Sequence, residues 1–280
     1  APPDPWNGCI TNTCNLDDAI ADGPDVAIGR LPAQTSAEAQ AAVAKTIAYE
    51  QFAPDQAWRN KLLLSADDSY SGESYFGGGG GSSQYCFRFG EYVFEEINDT
   101  IAAVVRGPAG LSLMQIEKFY LSQHLTGEPE DASRCRPDLT ATRARTQAIV
   151  TPELMSRLNA GVLWWNYQGH ANESLLAHET ILLNPGNSGT GVFTNDGRPF
   201  FLSAFSCHVN AFARPGDLRA AGASLGEVLV NAALRGAVAS WASSAYEILP
   251  DGGGQHVNTA LARSMFVNPP HNRFLGNAGS

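Results

Sequence analysis

Two side chains of this 280-residue chain have the chemistry and the setting for covalent catalysis, the thiol of Cys207 and the imidazole of His170. Cys207 follows the apolar run in "FFLSAFSCHVNAF", and His170 follows the one in "GVLWWNYQGHANES". A thiol attacks as thiolate, and an imidazole that takes its proton and later gives it to the leaving group raises its reactivity. Such proton transfer contributes roughly 10² to 10⁴ in rate. Acyl transfer also needs donors for the developing oxyanion, each worth about 10² to 10³; the backbone N–H groups of Cys207 and Ala171 are the candidates. On the residues alone Cys207 also reads as a buried small hydrophobe or half of a disulfide. His178 and His208 compete with His170 for the base, although adjacency turns the His208 side chain away from the sulfur.

These groups need elements to position them. Apolar segments that read as strands are "PDVAIGRLP", "KLLLSADD", "LSLMQIEKFYL", "GVLWWNY", "PFFLSAFS" and "AVASWASS". Between them, helical spacing runs through "SAEAQAAVAKTIAYEQF", with Ser36 as N-cap, "EYVFEEINDTIAAVV", "TPELMSRLNA" and "SLGEVLVNAALRG". Strands alternate with helices, and the core strands are apolar on both faces, which predicts an α/β fold with a mostly parallel sheet covered by helices on each side. Ligands bind such sheets beyond the carboxyl ends of the strands. His170 and Cys207 are therefore expected at one edge, on strands that can be neighbours.

Composition narrows the function. The net charge is -10 and no Lys or Arg stripe is present, which argues against nucleic acid as a partner. The most apolar stretch, "SLGEVLVNAALRGAVASWASSAY", is broken by Glu227 and Arg235 and does not read as a membrane span. The chain begins "APPDPW", with neither an initiator Met nor a signal-like segment, and reads as a mature or excised piece. The five cysteines, Cys9, Cys14, Cys86, Cys135 and Cys207, divide into two pairs and an odd thiol, and bonded pairs would place the protein in an oxidising compartment. Asp17, Asp18, Asp22 and Asp25 lack the spacing of a dedicated calcium loop, and no Cys and His set has structural zinc spacing.

Taken in order along the chain, these segments resemble the gingipain family of cysteine peptidases. "DVAIGRLPAQTSAEAQAAVAKTIAYE" resembles its strand, Gly-Arg turn and helix, "NAGVLWWNYQGHANES" its catalytic-histidine loop, and "FFLSAFSCHVNAF" the strand ending in its nucleophile. The resemblance implies a caspase-like three-layer sandwich in two joined subdomains, residues 1–140 with an inserted Gly-rich loop and 141–280 carrying His170 and Cys207. It implies a secreted or cell-surface endopeptidase that cleaves protein or peptide substrates through a Cys207 thioester, with His170 as base and acid. By the same resemblance Asp67, with Asp68 beside it, orients His170. Glu91 lies at the floor of a pocket favouring Arg or Lys, and Tyr246 and Glu247 line that pocket. No organic cofactor is implied, while structural calcium is common among relatives.

Two departures stand out. Ala171 replaces the family's Gly after the histidine, where a positive φ would be strained. The family's earlier strand and helix units are not in this sequence, so a further N-terminal chain or propeptide is an expected partner. Two rivals share the same residues: a sortase-like transpeptidase, which passes the acyl group to an amine, and a catalytically silent scaffold.

Overall fold

The computed structural model describes residues 29–51, 56–72, 85–87, 89–107, 113–124, 135–136, 139–184, 193–212, 222–247 and 257–267. Its strands are β1 (Lys61–Ala66), β2 (Tyr70–Gly72), β3 (Tyr85–Phe87), β4 (Gln115–Tyr120), β5 (Cys135–Arg136), β6 (Trp164–Gln168), β7 (Leu175–Leu176), β8 (Leu182–Leu183), β9 (Phe200–Phe205) and β10 (Ala237–Ala242). Five of them form a central parallel sheet in the order β10-β9-β6-β1-β4. Leu62, Leu63 and Leu64 of β1 and both tryptophans of β6 are wholly buried, as strands covered on both faces require; burying one such side chain contributes about 1.5–3 kcal/mol.

Helices cover both faces. On one, α2 (Val93–Arg106) and α5 (Val257–Phe266) bring Ile97, Ile101, Val105 and Phe266 against Leu62, Leu64 and Trp164. On the other, α3 (Thr151–Ala160) and α4 (Leu225–Asn231) bring Leu154, Leu158, Leu225 and Leu229 against Leu63, Trp165 and Leu202. The result is the three-layer α/β sandwich expected from the alternation. The sheet takes β1 and β4 from before residue 140 and the other three strands from after it.

Its core strands are not uniformly apolar. Ser203 Oγ donates to Asn166 Oδ1 at 2.6 Å, Asn166 Nδ2 to Asn98 Oδ1 at 2.6 Å, and Asn98 Nδ2 to the Ser65 carbonyl at 2.9 Å. The two indoles end on this network, Trp164 on Ser203 Oγ and Trp165 on Ser65 Oγ, each at 2.7 Å. The members of this network are tolerated in the core because each has a partner.

Two helix ends differ from expectation. The first helix, α1 (Ser36–Glu50), is capped by Thr35, one residue before the expected Ser36, because Thr35 completes a reciprocal capping box with Glu38. Helix α4 stops at Asn231 rather than running on to Gly236. Lys45 of α1 donates to the carbonyls of Leu229, Val230, Ala232 and Arg235, and Leu234 and Gly236 take φ of 58° and 70°, so the chain leaves the helix there. The strand expected over "PDVAI", the Gly77–Gly81 run, Cys9, Cys14 and the acids Asp17, Asp18, Asp22 and Asp25 lie outside the described residues. Gly29–Pro32, the remainder of "PDVAIGRLP", takes no strand conformation. Among the described residues no helix is long and apolar enough to cross a membrane.

Candidate active site

Register gathers the site. Ala66 pairs with Gln168, and Gln168 with Phe205. The residues that follow, Asp67 and Asp68, Gly169 and His170, Ser206 and Cys207, therefore leave three adjacent strands at one edge, the carboxyl end of the sheet. Helix α4 ties two of these loops together: the Leu225 N–H donates to the Glu173 carbonyl and the Gly226 N–H to the Val209 carbonyl, each at 2.9 Å.

The His170 loop is fixed through its backbone. Its N–H donates to Asp67 Oδ2 at 2.9 Å, and its carbonyl accepts from the Tyr167 hydroxyl and the Ala177 N–H, both at 2.8 Å. Gly169 makes the approach to Asp67 feasible, since its φ is 146° and a Cβ there would lie 2.3 Å from Asp67 Cβ. Ala171 bridges to Leu176 and is not among the residues with positive φ, so replacing the family's glycine strains nothing.

The imidazole is fixed as well. Nε2 meets Glu91 Oε1 at 2.9 Å, His178 stacks on the ring at 4.5 Å between centroids, and Phe94 presents its edge at 5.6 Å. Burial works to lower the His170 pKa, but the Glu91 hydrogen bond and the charges of Asp67, Glu91 and Asp68 together raise it above its usual 6.5. Burial, helped by the neighbouring His170, holds His178 down at about 3, so it is a neutral platform and not a second base.

These contacts exchange two expected placements. Asp67 meets the histidine at its backbone amide, whereas Glu91, expected at a pocket floor, meets the ring. Glu91 sits in a 3-10 turn, Phe89–Tyr92, just ahead of α2, and nothing in its spacing along the chain signals that it folds back over the sheet edge. Glu179 is the residue sequence reasoning missed, and His178, weighed there only as a rival base, is instead the platform under the ring. Both are carried by the turn Ala177–Thr180, whose two ends have φ of 62° and 60° without a glycine to mark them.

Cys207 is a free, half-buried thiol at the end of β9. The Glu247 N–H donates to its Sγ at 3.3 Å, and the thiol faces the Glu247 carbonyl at 3.6 Å. Glu247 therefore reaches the sulfur through its backbone. His208, at φ 60°, turns away and packs against the Tyr246 ring at 4.5 Å. Tyr246 itself is 76% exposed.

With this geometry in view, comparison with known proteins places the chain. The profile of Peptidase family C25 matches residues 2–279. The chain belongs to peptidase family C25, the gingipain family of cysteine peptidases. A search of the curated proteins found no match. Among solved structures, the chain is similar to the crystal structure of the Arg-specific cysteine proteinase gingipain R (RgpB), at 17% identity and a TM-score of 0.55, with 86% of this chain and 44% of that one covered. It is also similar to the complex of the Porphyromonas gingivalis RgpB pro- and mature domains, at 17% identity and a TM-score of 0.55, covering 92% of this chain and 47% of that one. The C25 chain thus shares the gingipain fold and spans less than half the length of each of these structures.

Proposed function

We propose that this C25 member is a secreted cysteine endopeptidase in which Cys207 is the nucleophile and His170 the general base and acid. The observation that carries the reading is the register: adjacent parallel strands β6 and β9 deliver the imidazole and the thiol to the same edge, and Glu91 holds the imidazole by Nε2. Nδ1 is then the nitrogen we assign to the thiol. It takes the Cys207 proton as the sulfur bonds to the scissile carbonyl carbon, and the resulting oxyanion is held by the N–H groups of Ala171 and Cys207. Collapse breaks the carbon–nitrogen bond, and His170 returns the proton to the departing amine. Water, deprotonated by His170, then attacks the thioester and releases the acid and the thiol.

Glu91 keeps the imidazole oriented and favours its protonated form, while Asp67 positions the loop. The backbone of Glu247 hydrogen-bonds the nucleophile, and Tyr246 offers an open wall for substrate. Each step uses a group of the chain, so the proposal calls for no organic cofactor. With Glu91 turned to His170, a preference for Arg or Lys loses the residue that motivated it.

The proposal includes an oxidising destination. Strands β3 (Tyr85–Phe87) and β5 (Cys135–Arg136) pair antiparallel with Cys86 opposite Cys135. Opposed antiparallel residues have Cα atoms about 4.5–5.5 Å apart, within the range a disulfide spans. A propeptide partner is proposed by analogy with RgpB, whose pro- and mature domains form a complex. The test is cleavage of a mixed peptide library with an amine present. Cuts that vanish in Cys207→Ala support the peptidase, and products carrying the amine identify transfer instead of hydrolysis.

A further inference from the structure

Beneath the His170 loop lie three buried acids, Asp67, Asp68 and Glu179, each offering a carboxylate oxygen within 4.8 Å of the others. Their surroundings differ. Asp67 accepts the Asp68 N–H on Oδ1 at 3.0 Å and the His170 N–H on Oδ2 at 2.9 Å, and Asp68 Oδ1 accepts the Tyr70 N–H at 2.9 Å. Glu179 is 0% exposed, and neither of its oxygens has a donor among the described residues. A buried carboxylate without a donor is strongly disfavoured, so Glu179 must hold a proton or share a cation. Calcium, the ion the family resemblance implies, does not fit well here. It takes about six to eight oxygens, whereas this cluster supplies three carboxyl groups, three of whose oxygens already accept backbone N–H bonds.

We infer that Glu179 is a protonated positioning residue that donates its O–H to Asp67, so that a neutral acid and a carboxylate together hold the His170 backbone in place. Asp67 is the anion of the pair because two N–H groups from other residues bond its oxygens, whereas neither Glu179 oxygen has such a bond among the described residues. The other ionisable neighbours are compatible with this. From β6, burial raises the Tyr167 pKa well above its usual value, so the phenol stays protonated. On Glu179's own turn His178 is neutral, and its carbonyl accepts from Arg143 Nε at 2.6 Å. Glu91 is paired with His170, and its charge adds to the rise at Asp67. Burial pushes Glu179 and Asp67 upward together, Asp67 to about 8, with the charge of Asp68 adding to both; at Asp67 the charge of His170 and its N–H bond oppose that rise. The turn that delivers Glu179 also places His178 under the catalytic ring, so one segment fixes His170 by its face and, through Asp67, by its backbone.

The consequence for rate rests on the peptidase reading, but the proton does not, and the experiment separates them. Infrared spectra at neutral pH on Cys207→Ala, which turns over nothing, should show a protonated-carboxyl C=O band that is lost when Glu179→Gln is added. In the active protein Glu179→Gln should keep kcat/KM within about threefold, because Gln supplies a donor of the same shape. Glu179→Ala should lose roughly 10²-fold, as a misplaced catalytic group does. The inference is overturned if the band persists in Glu179→Gln, or if Gln and Ala variants lose activity equally. It is also overturned if millimolar calcium raises the melting temperature in a way that Glu179→Gln abolishes, which would make the cluster a cation site. Should Glu179→Ala fail to fold, the infrared comparison still decides.

Discussion

His170 is gripped on its ring by Glu91, His178 and Phe94 and on its backbone by Asp67, Tyr167 and Ala177. Such fixing is what a proton shuttle needs, because a base off its line of transfer forfeits much of its advantage. Glu91→Gln is expected to lower kcat/KM by roughly 10²-fold, within the range that general acid–base assistance supplies. Glu91 raises the His170 pKa, so removing its charge lowers that pKa, and the acidic limb of the kcat/KM profile, which reports the free imidazole that takes the Cys207 proton, should move to lower pH. A pH-rate series on the two proteins checks both. The residues of the site were legible as types, since a thiol and an imidazole at the ends of apolar strands have few other uses together. Their supports were not. Which acid reaches the ring depends on how a 3-10 turn folds over the sheet edge, and Glu179 lies in an ordinary-looking "AHETI" segment.

At the scale of elements, β1, β6 and β9 could be read because strands buried on both faces are written as largely apolar runs, even with Ser65, Asn166 and Ser203 among them. Helix α4 was overrun because its end is set by Lys45, about 180 positions away in sequence. That contact is testable. Lys45→Met leaves four carbonyls without their donor and should cost about 2–3 kcal/mol in denaturant unfolding. Gly169→Ala is expected to be harsher, since the added Cβ would lie 2.3 Å from Asp67 Cβ. A loss of about 3 kcal/mol or more, or no folded protein at all, is the expected outcome.

Across the whole molecule, the two halves of the chain build one sheet, and the candidate site spans them: Asp67 and Glu91 come from the first, His170, Glu179 and Cys207 from the second. Strands β2 (Tyr70–Gly72) and β3 stand between β1 and the Glu91 turn in sequence, and β5, which follows β4, pairs with β3 to complete a small sheet. A Cys86–Cys135 bond would brace that connection, and non-reducing peptide mapping of protein secreted from an oxidising host should recover the linked peptides. Two unlinked thiols would argue against an extracellular destination. The central claim is that this assembled edge hydrolyses peptide bonds through Cys207. Its most direct test is mass-spectrometric mapping of cuts in a mixed peptide library, comparing the protein with Cys207→Ala under mild reductant. Cuts are expected with the first and not with the second. Identical cutting by both, or none by either, would contradict it.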